Sequence, residues 1–311
     1  MCGRYASARS RIELLEEFSV QRDRVAEPLP PDYNVAPTKP VYAVLARAPR
    51  DDRPQAGQEP AAAGDSEPGS GHGAPGDRDS AGGASGAPVR ELRVVRWGLV
   101  PFWAKDVSIG SRMINARAET VSEKPAFRSA FARRRCLLPA DGYYEWQRPP
   151  SGTSGPKQPY FICRPDHGPL AFSGLYELWR DRALPREDPD AWLWTATIIT
   201  TTAPDELGEI HDRMPMVIDP ASWADWLDPG NADSGDLKAL LTPAAASGLM
   251  SYPVSLAVNS VRNNGPELIA AADPVSHGDV RAAGKARSRT ATAKAKNGAA
   301  ANGGGTAGSG A

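Results

Sequence analysis

Residues 49–88 are the part of this chain that most limits how it can fold. The segment is dominated by Pro, Gly, Ala, Ser and Asp and contains no Leu, Ile, Val or aromatic residue. It cannot bury enough apolar area to offset the entropy of ordering, so we predict a disordered insertion. The runs VYAVLAR before it and ELRVVRWGLV after it are typical of two strands of one antiparallel hairpin, because loop-closure entropy grows only slowly with loop length. The insertion therefore interrupts a single domain.

The C-terminal residues 274–311 form a second segment rich in Gly and Ala, and here Lys and Arg supply the charge. We predict a disordered basic tail for the same reason of low apolar content. One ordered domain of residues 2–273 remains, interrupted at 49–88.

Four segments of this domain predict helices. SRIELLEEF begins with a capping box formed by Ser10 and Glu13, followed by apolar residues at helical spacing. SEKPAFRSAFARRR predicts a second helix with Ser122 as its N-cap, and PASWADWL and GDLKALLT predict two shorter ones. The runs between them are apolar, β-branched or aromatic and predict strands: RCLLPADGYYEW, PYFIC, AWLWTATIITT and MSYPVSLAV. Because strands follow one another without regular helical crossovers, the fold class is α+β, a mostly antiparallel sheet with flanking helices.

The charge distribution argues against a general polyanion binder. The net charge is −1; residues 49–88 carry three Arg against seven Asp or Glu, and residues 274–311 carry six Lys or Arg against one Asp. The rest of the chain is therefore slightly acidic, so contact with nucleic acid would depend on a few placed arginines.

The three cysteines, Cys2, Cys136 and Cys163, have neither the pairing of a disulfide framework nor the spacing of a zinc site. They indicate a reducing compartment. The sequence has no run of about 18 apolar residues, which a membrane-spanning helix would need. We expect a monomeric cytoplasmic protein without a metal or cofactor, associated with the nucleoid when it binds DNA.

Cys2 follows the initiator methionine directly, so removal of Met1 leaves one residue with both a thiol and the α-amine. Three other segments place polar residues in apolar surroundings. Asn115 and Arg117 lie two apart in INARAET, as do His211 and Arg213 in IHDRMPMV, and extended chain would put each pair on one face. Glu145 lies between aromatic residues in DGYYEWQ, a setting that raises a carboxyl pKa toward acid/base use. Taken singly, each has an ordinary structural explanation, such as a turn or a solvated side chain.

The combination is more specific. MCGRY, YNVAPT, RWGLVPFWAKD, INARAET, RRCLLPADGYYEW and IHDRMPMVI occur in this order between Cys2 and Asp273. They resemble the SOS response-associated peptidase (SRAP) family, whose members recognise abasic sites in single-stranded DNA and crosslink to them. The resemblance implies that Cys2 is the terminal nucleophile, Asn115 positions it, and Glu145 and His211 are the acid/base pair. It also implies phosphate contacts for Arg4, Arg117 and Arg213, and an approach to the DNA bases by the segments that hold Pro37 and Trp97.

This resemblance predicts a covalent function. The α-amine of Cys2 would attack the aldehyde of an opened abasic sugar, and the thiol would close a thiazolidine ring on the resulting imine. The expected partner is single-stranded DNA with abasic sites, and any replication-fork protein partners are undefined. Two alternatives stay open: a cysteine peptidase with an N-terminal nucleophile, which includes self-removal of Met1, and a non-covalent binder of damaged or modified DNA.

Overall fold

The computed structural model describes residues 2–47, 88–241, 248–276 and 278–279. Its helices are short: α1 (Arg11–Glu17), α2 (Arg128–Arg133), α3 (Asp205–Gly208), α4 (Trp223–Leu227) and α5 (Ser234–Ala239). Its strands are β1 (Tyr5–Ser7), β2 (Arg22–Asp23), β3 (Asp32–Val35), β4 (Pro40–Arg47), β5 (Val89–Trp97), β6 (Asn115–Arg117), β7 (Arg135–Ala140), β8 (Gly142–Gln147), β9 (Thr153–Ser154), β10 (Gln158–Cys163), β11 (Leu170–Arg180), β12 (Trp192–Thr202), β13 (Arg213–Pro215), β14 (Met250–Pro253) and β15 (Gly278–Asp279). The predicted insertion, apart from Pro88, and residues 280–311 of the predicted tail lie outside the described residues.

Five strands of the larger sheet close into a barrel. β12, β11, β7, β4 and β5 are antiparallel neighbours in that order, and β5 returns to β12 through a parallel pairing. β13 and β6 pair with the C-terminal half of β12, and β2 pairs with β5. A smaller antiparallel sheet has the order β14-β10-β8-β1-β3. The α+β class with mostly antiparallel strands is confirmed.

One hydrophobic cluster joins the barrel to the smaller sheet, and Cys2 is part of it. Tyr5 of β1 packs edge-on against Trp97 of β5 and Phe172 of β11, with ring centroids 5.2 and 5.8 Å apart. Full burial of such side chains contributes roughly 1.5–3 kcal/mol each. Burial of Tyr5 therefore anchors the chain three residues after Cys2.

A second cluster lies on the other face of the barrel strands, where the helices pack. Phe18, directly after α1, stacks on Trp223 of α4 at 4.5 Å. Buried Arg135 donates hydrogen bonds to backbone carbonyls of the α2 segment and of the α4 segment, including Phe131 and Trp226. These contacts hold the helices on the side of the strands away from Cys2.

Several predicted elements match the structure and others differ. The β4–β5 hairpin pairs from Pro40 with Arg96 to Arg47 with Val89, and the capping box of α1 is present. The second helix begins at Arg128 rather than after Ser122, because Pro125 disfavours helical backbone at the residue before it. The strand predicted in MSYPVSLAV ends at Pro253, since Ser255 caps a 3₁₀ turn. The central strand β11 was not predicted.

The chain stays in contact with the fold beyond Asp273. The backbone N–H of Val275 donates to Gln158 Oε1 at 2.7 Å, and β15 pairs with β9. Within the described ranges, no helix has the length and apolar character needed to cross a membrane.

Candidate active site

Cys2 is held at the centre of the site by an amide from a distant strand. The Nδ2 group of Asn115 donates a 2.7 Å hydrogen bond to the backbone carbonyl of Cys2, and the Cys2 side chain has no exposed surface. Its Sγ contacts the carbonyl oxygen of Arg4 at 3.9 Å. Burial, and then the nearby Glu145 carboxylate, raises the pKa of the Cys2 thiol well above its ordinary value. The sulfur therefore stays protonated at neutral pH until a base accepts the proton.

Glu145 is the carboxylate whose charge acts on this thiol. It lies on β8, two residues after Tyr143 on the same face, and is only 3% exposed. Burial raises the pKa of Glu145 to about 7, and the Asp212 carboxylate adds to the rise. A carboxyl group with this pKa both accepts and releases protons near neutrality, as a general acid/base requires.

His211 is half-buried in the turn before β13. Its Nδ1 accepts a 3.0 Å hydrogen bond from the backbone N–H of Arg213, so the neutral ring carries its proton on Nε2. Burial lowers the pKa of His211, which favours this neutral form, and its 3.0 Å contact with exposed Asp212 becomes an ion pair only on protonation. The ring folds back onto the Arg213 backbone, so the two residues do not form the extended pair expected from their spacing.

Two of the predicted arginines lie along the end of β12 but differ in what they contact. Arg117 pairs opposite Thr200 on β12, is exposed, and has no ion pair among the described residues. Arg213 pairs opposite Thr202, and its terminal nitrogens bind Glu119 at 2.5 and 3.1 Å and the Thr200 carbonyl at 2.6 Å. Arg213 is 12% exposed, so a phosphate would have to compete with Glu119 for it.

Arg4 is tied into the protein. Its Nη1 donates to Asn34 Oδ1 at 2.7 Å and to the Val258 carbonyl at 2.9 Å, and its guanidinium lies 5.7 Å from the centroid of the Trp146 ring. Asn34 is itself fully buried and donates to three backbone carbonyls between Val258 and Asn263. This network fixes the backbone next to Cys2, a role that the sequence analysis did not predict.

Trp97 is a buried residue of the segment that was expected to approach DNA. Its side chain has no exposed surface and packs on Tyr5, so a base contact by this segment would involve other side chains. Its indole N–H donates a 2.9 Å hydrogen bond to the Ile114 carbonyl, which fixes the backbone directly before Asn115. Pro37 is half-buried in the turn between β3 and β4, where the following Thr38 N–H donates to the Trp97 carbonyl at 2.8 Å.

The same motif, RWGLVPFWAKD, presents two other aromatic rings that the sequence analysis missed. Phe102 is 55% exposed and Trp103 is 47% exposed, in the loop that joins β5 to β6. Gly98 closes this loop with a φ of +121°, and an added Cβ there would lie 2.5 Å from the Gly110 carbonyl oxygen. The loop ends at Ile114, directly before Asn115, so one connection carries both exposed rings and leads into the strand of the site.

No group of three or more His, Cys, Asp or Glu that could hold a metal ion occurs within the described parts of the chain, and its three cysteines are free thiols. The polar groups given at Cys2 are the Asn115 amide and the Glu145 carboxyl group of raised pKa. The Glu145 carboxyl group and the His211 imidazole both lie within electrostatic reach of Asp212.

Solved structures resemble this fold. A protein from Bacteroides thetaiotaomicron superposes with a TM-score of 0.62 at 23% identity, covering 88% of this chain and all of that one. A protein from Bordetella bronchiseptica gives a TM-score of 0.57 at 22% identity, covering 82% of this chain and all of that one. At this level of identity the similarity concerns the fold.

The sequence is similar to named proteins over most of its length. It is 36% identical over 269 residues to abasic site processing protein YoqW of Bacillus subtilis, covering 86% of this chain and 99% of that protein. It is 34% identical over 206 residues to abasic site processing protein HMCES of Xenopus tropicalis, covering 58% of each. The model of the family described as SOS response associated peptidase (SRAP) matches residues 1–261. The chain therefore belongs to the SRAP family.

Proposed function

We propose that this protein recognises abasic sites in single-stranded DNA and captures them covalently through Cys2. The observation that carries the proposal is the joint placement of Asn115 and Glu145 at the second residue of the chain. Relatives aligned over 86% of this chain are named abasic site processing proteins, which supports the substrate class.

The first step requires the α-amine of Cys2, freed by removal of Met1. An abasic deoxyribose opens to an aldehyde when its C1 hydroxyl loses a proton to water and its ring oxygen gains one; the protonated form of His211 is suited to donate that proton from Nε2 and return to the neutral ring. The amine attacks the aldehyde carbon, and loss of one water gives an imine. Asn115, bonded to the carbonyl of the same residue, fixes the direction of the amine.

The second step uses the thiol of the same residue. The S–H proton passes to the Glu145 carboxylate, the sulfur bonds to the imine carbon, and the electron pair of the C=N bond moves to nitrogen, which takes up a proton. The product is a five-membered thiazolidine. Both nucleophiles belong to one residue, so ring closure is intramolecular and has a high effective molarity.

The exposed surface suits a lesion in a single strand. Phe102 and Trp103 offer faces on which bases of any sequence can stack, and Arg117 offers an exposed cation that interacts with Glu119 only through its charge. Such contacts bind single strands without reading their sequence. This arrangement supports recognition of a lesion rather than of a base sequence.

Intact mass spectrometry tests the proposal directly. The purified protein is measured alone and after incubation with an abasic single-stranded oligonucleotide under denaturing conditions. We expect a parent mass without Met1 and an adduct equal to protein plus DNA minus one water. A complex that dissociates fully on denaturation would favour the non-covalent binder and contradict covalent capture.

A second candidate activity is cleavage of the Met1–Cys2 bond by the protein itself. Two observations favour it: the family is described as a peptidase, and Glu145, with a pKa of about 7, acts on Cys2. Retention of Met1 in Glu145→Gln, when parent protein made in the same cells has lost it, would support this activity. Equal processing of both would assign the cleavage to the host.

A further inference from the structure

Two buried tyrosine hydroxyls near Cys2 lack hydrogen-bond partners. Tyr5 of β1 and Tyr143 of β8 are directly paired across the smaller sheet, and neither side chain has exposed surface. Both rings pack edge-on against Phe172, at 5.8 and 6.0 Å. Neither hydroxyl forms a hydrogen bond within the described residues. Burial of an unpaired hydroxyl is unfavourable compared with phenylalanine, so these two oxygens need an explanation.

Other tyrosines of this protein satisfy their hydroxyls. Tyr42 accepts from the Leu29 N–H at 2.7 Å, Tyr144 donates to the Tyr33 carbonyl at 2.7 Å, and Tyr252 donates to the Ile269 carbonyl at 2.9 Å. Tyr144 is the neighbour of Tyr143 on β8 and faces the opposite cluster. The missing partners are therefore a property of the face that holds Cys2.

Tyr5, Tyr143 and Cys2 belong to one core cluster. Burial, and then the proximity of Cys2, raises the pKa of both phenols well above their ordinary range. They remain protonated at any working pH and are available as donors. Among the described residues, the one hydrogen-bond contact of Cys2 Sγ is the Arg4 carbonyl, which is an acceptor and does not stabilise a thiolate.

The remaining buried hydroxyls without partners lie elsewhere. Ser173 and Thr197 alternate with Phe172 and Ile198 along β11 and β12, so they point to the other face of those strands. Among the buried hydroxyls of the described residues, the two phenols are the unpaired ones on the Cys2 side.

We propose that Tyr5 and Tyr143 are positioning residues that donate hydrogen bonds to the Cys2 sulfur as it loses its proton and attacks the imine carbon. The proposal rests on the covalent function proposed above and concerns its second step. The S–H proton goes to Glu145, the C–S bond forms, and the C=N electron pair goes to nitrogen with a proton. The phenols keep their own protons throughout.

Among the described residues, the titratable groups that act on this sulfur or on the two phenols are Glu145 and Tyr143 on β8, Tyr5 on β1, Cys136 on β7 and Asp32 on β3, together with the terminal amine. Asp212 and Lys157 act in turn on both Glu145 and His211. A change from Tyr to Phe removes a donor without changing the number of ionised groups near neutral pH. A slower sulfur step with an unchanged pH midpoint would therefore report the lost hydrogen bond and not an altered Glu145.

The experiment separates the imine from the stable adduct. Protein shown by mass to lack Met1 is mixed with abasic single-stranded DNA between pH 5.5 and 9, and borohydride-trapped imine and borohydride-independent adduct are followed over time. The variants are Tyr5→Phe, Tyr143→Phe and their double, with Tyr144→Phe as the matched control. We expect unchanged imine formation, and conversion to the stable adduct about tenfold slower per hydroxyl, since a hydrogen bond to a charged group is among the stronger ones.

The pH dependence and the stability give independent readouts. The midpoint of conversion should stay at that of the parent, because Glu145 accepts the S–H proton and its pKa of about 7 sets the midpoint; the tenfold slowing should therefore appear at every pH. Melting temperatures of the Tyr5 and Tyr143 variants should stay equal or rise, whereas Tyr144→Phe should melt lower and keep the parent rate of conversion. Conversion at the parent rate in the double variant would overturn the proposal.

A measurement without DNA distinguishes this inference from the proposed function. The pKa of the Cys2 thiol is read from its ¹³Cβ chemical shift, with Cys2→Ser for assignment, and should rise in the Phe variants. Incorporation of 3-fluorotyrosine at position 143 keeps the ring and provides a stronger hydrogen-bond donor. This change should lower the pKa of the Cys2 thiol. If parent protein forms no adduct yet these shifts occur, covalent capture is wrong and the donor role stands; unchanged thiol pKa values would overturn the donor role itself.

Discussion

The side-chain amide of Asn115 bonds the carbonyl of Cys2 across 113 positions of sequence, at 2.7 Å. Asn115 is held in turn by the β6–β12 pairing and by Trp97, whose indole fixes the preceding carbonyl. The terminus of the chain, normally its most mobile part, is thus attached to the barrel. The position of the Cys2 backbone therefore depends on a strand more than a hundred residues away.

Asn115→Ala should slow adduct formation about tenfold or more while the protein stays folded, because loss of one neutral hydrogen bond costs only about 0.5–1.5 kcal/mol of stability. Time courses of adduct formation and thermal melting check this. Asn34→Ala, which removes an amide bound to several carbonyls, is the comparison: it should melt at a much lower temperature. An unchanged rate in Asn115→Ala would show that the bond to Cys2 is structural only.

An extra residue ahead of Cys2, or retention of Met1, should abolish the stable adduct although the thiol is still present. The change converts the attacking amine into an amide, which is not nucleophilic. Cys2→Ala keeps the amine and should give only an imine that survives when reduced, and Cys2→Ser should give a weaker, more reversible adduct. Denaturing gels measure the crosslink yield of the extended chain and of the two Cys2 variants beside that of processed parent protein. Full crosslinking by the extended chain would rule out attack by the amine.

Glu145→Gln should raise stability at alkaline pH and slow the chemistry. The pKa of Glu145 rises on folding from 4.5 to about 7, so the folded state binds the proton more tightly. The parent therefore loses this contribution to stability as pH increases through this window, by up to roughly 3 kcal/mol, and the variant lacks the contribution. Burial also raises the pKa of Asp141 and of Glu177, and their losses are common to both proteins. Urea unfolding at pH 4.5 and pH 8 measures the difference. Equal losses in both proteins would show that Glu145 is not held at a raised pKa, and an unchanged crosslinking rate would remove it from the mechanism.

Glu119→Gln should strengthen binding to single-stranded DNA by about two- to fivefold, because a half-exposed ion pair is worth about 0.2–1 kcal/mol and its loss frees Arg213 for phosphate. Arg117→Ala should weaken binding and lower the salt slope by about one unit. Glu123→Gln removes the same charge from an exposed residue of the following turn and is the control. Weaker binding by Glu119→Gln would mean that Glu119 instead holds Arg213 in its DNA-binding position.

Phe102→Ala and Trp103→Ala should each weaken binding to single strands by about 1–3 kcal/mol, without a change in salt slope, if each ring stacks on one base. Fluorescence anisotropy at two or more salt concentrations measures both quantities. Ile12→Ala, at an exposed apolar residue of α1, should bind like the parent. A reduced salt slope in either aromatic variant would indicate a disturbed phosphate contact rather than lost stacking.

Local sequence was sufficient for elements whose determinants are neighbours in the chain. The capping box of α1 lies within four residues, and the β4–β5 hairpin follows from two β-branched runs that flank a segment without Leu, Ile, Val or aromatic residues. The order of the six motifs was likewise sufficient to indicate the family. Local patterns did not predict β11, whose Ser173, Gly174 and Glu177 interrupt an apolar run that is buried by strands on both sides.

The tertiary structure alone decided which side chains of each motif face the site. RWGLVPFWAKD contains three aromatic rings, and only the strand pairing and the turn at Gly98 bury Trp97 and expose Phe102 and Trp103. The Arg213–Glu119 pair joins positions 94 residues apart, and the Arg4–Val258 bond joins positions 254 apart. Burial and pairing depend on what the rest of the chain packs against a residue, and this information is absent from the residue's own neighbours in sequence.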